Sequence, residues 1–148
     1  MSETLPATVL TLAAAIGEEV GFLGVLPLDR ARLSVLRQAG VTFAQVSHSS
    51  ERAHVMSVDF DCEVTGFLGD QPLLLHRCSS SRGDSGGPVL AMDTPRIVVI
   101  HDGHIEADLG RFGVAVPAGS FHDALGERLG PADGRTGGRL GGRRPGVR

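Results

Sequence analysis

Gly83-Asp84-Ser85-Gly86-Gly87-Pro88-Val89-Leu90 is the stretch on which the reading of this chain turns. Three glycines flank one serine, and a proline then opens an apolar run. Glycine admits backbone conformations closed to residues with a Cβ, so Gly83 predicts a tight turn. A serine on such a turn projects its Oγ while backbone N–H groups face the carbonyl that Oγ would attack. Ser85 is therefore the expected nucleophile. The N–H groups of Gly83 and Ser85 are the expected oxyanion hole. Gly86 and Gly87 leave room for a substrate and for a packed partner strand, and Pro88 fixes the entry to the next strand.

Outward from this turn, residues 89–92 and 97–100 read as strands separated by Asp93-Thr94-Pro95, a turn signal. Residues 112–116 read as a last strand and 120–129 as a terminal helix. Upstream, short strands are expected at 9–12, 41–46, 53–58, 62–65 and 73–76, and another with a turn at Pro27 in 21–28. Short strands at regular spacing predict an all-β sandwich or barrel. Residues 29–38 carry helical spacing at Ala31, Leu33, Val35 and Leu36, with Asp29 as a cap and Gly40 as a stop.

The chain has 148 residues, with 21 Gly, six Phe, no Trp and no Tyr. That is the size of one domain. The net charge is −3, but the last twenty residues hold five Arg and one Asp, which leaves −7 on the rest. An acidic body gives no reason to expect nucleic acid as a partner. No apolar run approaches the roughly 20 residues of a membrane span, so no membrane is expected. Residues 7–16 are apolar, but Glu3 precedes them where a signal peptide carries positive charge, so no convincing signal is read. Residues 130–148 hold almost no apolar side chains and are expected to be a disordered, Gly/Arg-rich tail. The two cysteines, Cys62 and Cys78, match no zinc-ligand spacing. No metal and no cofactor is expected. Two buried thiols and one disulfide both remain open; the second needs an oxidising compartment.

The nucleophile stretch resembles that of trypsin/chymotrypsin-like serine proteases of bacterial type, and the likeness extends beyond it. Cys62-Glu-Val-Thr-Gly-Phe67 is similar to the family's strand opening the second barrel. His76-Arg-Cys78 stands where bacterial members place a cysteine before the nucleophile loop. Val98-Val-Ile-His-Asp-Gly103 is similar to the strand lining the substrate channel, and Gly113-Val-Ala-Val116 to the segment closing the pocket. The resemblance covers roughly residues 7–128. It implies a chymotrypsin-like β-barrel with a C-terminal helix, the second barrel complete and the first largely missing. Residues 1–50 would be a remnant of the first barrel and the interbarrel linker, 51–129 the second barrel, and 130–148 the tail. Residues 29–38 would then be linker, against their local helical spacing. Two packed barrels need roughly 220 residues, more than are present.

The resemblance also assigns roles. Asp84 would pair with a freshly cleaved N-terminal ammonium; Met1 is not that terminus, so its partner stays open. Ser79 would lie at the floor of the pocket for the residue before the scissile bond, where trypsins carry an acid. His101 matches the pocket histidine of glutamyl endopeptidases, which points to an acidic residue there. The alternative is a hydrogen-bonded strand histidine. Gly103 would line the same channel. The general base is missing. No Thr-Ala-Ala-His-Cys-like run occurs, and His48, His54, His76, His101, His104 and His122 stand in other contexts. Pro6 stands where the orienting Asp belongs. The expectation is a serine-type endopeptidase acting on protein or peptide, monomeric, secreted or periplasmic, and nearly inactive as this chain. The alternatives are a non-catalytic peptide-binding half-protease and a fragment without function.

Overall fold

The structure is a computed structural model and describes residues 10–129. The expected tail at 130–148 lies outside the described residues. The chain is mostly β. After a short helix α1 (Gly17–Val20) and a two-residue strand β1 (Gly24–Val25) comes helix α2 (Arg30–Gln38). Then follow β2 (Phe43–Ser47), a 3-10 turn (Ser50–Arg52), β3 (Ser57–Cys62), β4 (Val64–Phe67) and β5 (Leu74–His76). Strands β6 (Pro88–Ala91), β7 (Arg96–Ala107) and β8 (Gly110–Pro117) precede helix α3 (Gly119–Leu129).

These strands make one eight-stranded sheet in the order β3-β2-β6-β7-β8-β5-β4, with β1 added beside β7. All pairings are antiparallel except β1 with β7. The sheet is curled into a half-barrel. Its two end strands, β3 and β4, follow each other in the chain with only Glu63 between them. The core includes Leu74, Val89, Ala91, Val98, Val99 and Ala115, none of which has exposed surface. Each buried Val or Leu of this kind contributes about 1.5–3 kcal/mol.

Helix α2 forms where the local spacing of 29–38 predicts a helix. The Asp29 side chain accepts the Arg32 N–H at 2.7 Å, and Gly40 ends the helix at φ +70°. Leu33 and Leu36 face the core, while Val35 faces solvent. At its far end the Arg37 guanidinium donates to the Val64 and Thr65 carbonyls, which ties the helix to β4. Replacing Asp29 by alanine removes the cap and is expected to cost about 1 kcal/mol. The check is a lowered urea midpoint at unchanged m-value.

Other expectations shift. Residues 10–12 form no strand, and β3 starts only at Ser57. Residues 43–47, before the boundary expected at residue 50, pair with β3 and β6 inside the same sheet. The stretch 62–67 spans the end of β3 and all of β4; the strand beside β6 is β2. Among the described residues no helix is long and apolar enough to cross a membrane.

Candidate functional site

The expected nucleophile stretch forms the end of the loop between β5 and β6, and hydrogen bonds hold that loop from three sides. Ser81 donates its N–H to Asp84 Oδ2 at 2.6 Å and its hydroxyl to the same oxygen at 3.3 Å. The Ser50 N–H donates to the Arg82 carbonyl at 2.8 Å. Gly86 and His101 complete the frame: Gly86 N–H donates to His101 O at 2.7 Å, and His101 N–H to Gly87 O at 2.9 Å. Gly83 has φ +97° and packs on the backbone at Ser49 and Ser50, where an added Cβ would lie 2.5 Å from Ser50 N. At Gly87 an added Cβ would lie 2.7 Å from the Val46 carbonyl, so glycine lets the loop approach β2.

Ser85 is exposed at the apex of this turn. Its hydroxyl donates to the Asp102 carbonyl at 2.7 Å. Asp102 is the residue skipped where the β7–β8 register shifts between His101 and Gly103. A bulge of this kind re-aims the backbone, here toward the serine. The N–H groups of Gly83 and Ser85 meet no acceptor among the described residues. They remain available to a developing oxyanion. A carbonyl can hold the Ser85 proton but cannot carry it away, so this geometry orients the hydroxyl without activating it.

The remaining expected residues cluster around the turn. Ser79 donates its N–H to Asp59 Oδ2 at 2.5 Å. Gly103 lies on β7 just past the bulge, and Asp84 is buried under the loop at 4% exposure. Cys62 and Cys78 are bonded to each other, with Cα atoms 4.1 Å apart, and close a sixteen-residue separation. In the chain-entropy description such a loop contributes about 3 kcal/mol. His76 places a ring nitrogen within 4.8 Å of both sulfurs, but the S–S bond takes those sulfurs out as thiolate ligands.

His76 and His104 were not legible as site residues, yet with His101 they form a row. His76 is fully buried and His101 is 1% exposed. The Cys78 N–H donates to His76 Nδ1 at 3.2 Å, so the His76 proton belongs on Nε2. That nitrogen donates to His101 Nδ1 at 2.9 Å. The rings meet edge to face, at 5.0 Å between His76 and His101 and 5.1 Å between His101 and His104. His104 Nε2 is 2.6 Å from the Ser80 hydroxyl. Burial, then the neighbouring His101 and His104, pushes the His76 pKa down to about 4. Burial and the charge of His104 also lower His101, and burial followed by Arg111 lowers His104. All three shifts favour the uncharged imidazole. The cations at the adjoining chamber of about 270 Å³ are Arg77 and Arg111.

Compared with protein-family models and with curated proteins, the chain matches none.

Proposed function

We propose that this chain is the nucleophile-bearing part of a trypsin-like serine endopeptidase, and that by itself it turns over peptide bonds very slowly. The observation that carries this reading is the turn at 83–87. An exposed serine stands beside two unengaged N–H groups on a backbone that only glycine permits at Gly83. In this reading Ser85 Oγ attacks a peptide carbonyl, the N–H groups of Gly83 and Ser85 donate to the oxyanion, and water releases the acyl-enzyme. The mostly antiparallel, curled sheet is compatible with it, as an open half-barrel whose end strands β3 and β4 are consecutive in the chain. The Cys62–Cys78 bond fits an oxidising compartment, secreted or periplasmic.

Among the described residues the Ser85 hydroxyl meets a carbonyl and no side-chain base, so in this reading the base lies outside them. Leu10, Leu12, Val20 and Phe22 are exposed by 62–81%, apolar side chains of the kind a packed partner would cover. Without a base only oxyanion stabilisation and binding remain, about 10³–10⁴-fold over water. The unactivated hydroxyl also favours a second reading, peptide binding without turnover.

The test is labelling by a fluorophosphonate, read by intact mass with Ser85→Ala alongside. The expected result is a slow adduct, confined to Ser85, that forms over hours. Full labelling within minutes would show that a base is present in this chain. A folded protein that never labels would remove Ser85 as a nucleophile and leave peptide binding.

A further inference from the structure

Three side chains able to ligate a metal meet at the base of the nucleophile loop. Cys62 ends β3, His76 ends β5 and Cys78 stands at the start of the loop; one ligand atom from each lies within 4.8 Å of the other two. All three residues are buried. Their spacing in the chain follows no zinc motif; the sheet register assembles them. Val64 pairs with His76 across β4 and β5, and the Arg77 N–H donates to the Glu63 carbonyl at 2.7 Å. The backbone therefore holds the neighbours of both cysteines together, apart from any bond between the sulfurs. His76 is oriented as metal-bound histidines are, by a hydrogen bond from its other ring nitrogen. Its Nε2–H is donated to His101 Nδ1 at 2.9 Å, which leaves the Nδ1 lone pair toward Cys78, whose N–H it accepts at 3.2 Å.

We propose that the chain, once its disulfide is reduced, binds one zinc ion through Cys62 Sγ, Cys78 Sγ and His76 Nδ1. A dithiol supplies the two electrons. Its thiolate attacks Cys78 Sγ, the S–S bond breaks and Cys62 leaves as the thiolate. The second thiol of the reductant then releases Cys78 and closes the reductant's own disulfide. Zinc takes the place of the two cysteine protons, which go to solvent. Two thiolates cancel the charge of Zn²⁺, so the buried centre carries no net charge; a monovalent copper ion would leave it at −1. Two cysteines and one histidine are a zinc ligand set that keeps a fourth position open. His76 and Cys78 line the chamber of about 270 Å³, which is the route in and has room for a water at that position. In a reducing compartment the ion would tie the end of β3 to the start of the loop, as the disulfide does in an oxidising one. None of this rests on Ser85 being a nucleophile.

The test uses the full chain, reduced with a phosphine, which is itself oxidised to the phosphine oxide. The oxidised chain is the control, since it keeps all six histidines and every carboxylate. The reduced chain is expected to take up one zinc ion, read by native mass, and to hold it about a hundredfold or more tighter than the oxidised chain does in competition with a chromophoric chelator. Cobalt(II) in place of zinc should give thiolate charge-transfer absorption and the intense visible bands of a tetrahedral ion. X-ray absorption of the zinc-loaded wild type should show two sulfurs at about 2.3 Å. His76→Gln keeps both cysteines and can be purified with its disulfide closed; once reduced it should bind zinc about tenfold or more weakly. If that variant does not fold, the ligand count on the wild type decides alone, and fewer than two sulfurs overturn the site. Equal zinc binding by oxidised and reduced chains would overturn it, as would undiminished binding by folded, reduced His76→Gln. Uptake of copper(I) but not zinc would overturn zinc as the metal.

Discussion

Gly113→Ala is expected to destabilise the protein by about 3 kcal/mol, which lowers the melting temperature by roughly 10 °C for a domain of this size. Gly113 is a buried residue of β8, paired with His76 across to β5 and with His104 across to β7. The His76 ring lies directly over its Cα, and a methyl group there would overlap the ring. The ring is held in place, because it is fully buried and bonded at both nitrogens, to the Cys78 N–H and to His101. Displacing it adds the cost of unmade buried hydrogen bonds, about 1–3 kcal/mol, to that of overpacking. Gly103→Ala is the control. It lies on the adjoining strand β7, where an added Cβ meets open space, and it should change stability by no more than about 0.5 kcal/mol. Combining Gly113→Ala with His76→Ala removes the colliding ring. The double variant should be more stable than the sum of the single losses by about 1–3 kcal/mol. Equal costs for Gly113→Ala and Gly103→Ala in urea unfolding would show that the ring does not occupy this space.

That contact also shows where reading the sequence stops. The nucleophile turn was legible because its signals are local: Gly83 for a positive φ, Gly87 for close approach to β2, Pro88 for the strand start. Helix α2 was legible for the same reason, in the Asp29 cap and the Leu33/Leu36 spacing. Strand β3 was misplaced because its apolar residues face outward. Val58 and Phe60 are exposed, while Asp59 turns toward the loop and holds Ser79. An end strand, paired with β2 alone and facing the loop with Asp59, carries no inward apolar stripe to read. The histidine row depends on pairing β5 with β8, which brings His76 to His101 across 25 residues of chain, and on the β7–β8 hairpin. No local pattern encodes it; a histidine ending the run Leu73-Leu74-Leu75 was the only hint. The disulfide stayed open because spacing alone does not pair cysteines. The antiparallel register of β4 on β5 does: Val64 faces His76, and two residues further out Cys62 meets Cys78.

Acidification from pH 7 to pH 5 should cost about 2 kcal/mol through His76 alone. Burial excludes the charged imidazole, and the neighbouring His101 and His104 oppose it further, so the folded pKa is about 4 against an ordinary 6.5. Asp59 pulls the other way and does not prevail. The sign follows from proton counts. Below pH 6.5 the unfolded chain takes up a proton that the folded chain refuses, so unfolding is favoured. The contribution is complete above pH 6.5, declines as pH falls from there toward 4, and reaches about 3 kcal/mol of lost stability below both values. His101 and His104 are lowered too, and their loss runs in the same direction. The hydrogen bonds explain why the row cannot simply absorb the proton. His76 Nδ1 accepts from the Cys78 N–H, and a proton placed there would oppose that donor. A proton placed on His101 Nδ1 would instead face the Nε2–H of His76. The check is urea unfolding at pH 7, 6 and 5, for the wild-type chain and for His76→Gln, which cannot titrate. The variant should start less stable and show a slope against pH smaller by about 2 kcal/mol over this range. Equal slopes in the two proteins would mean that the acid sensitivity lies in other groups, and that the buried row accepts its proton without loss.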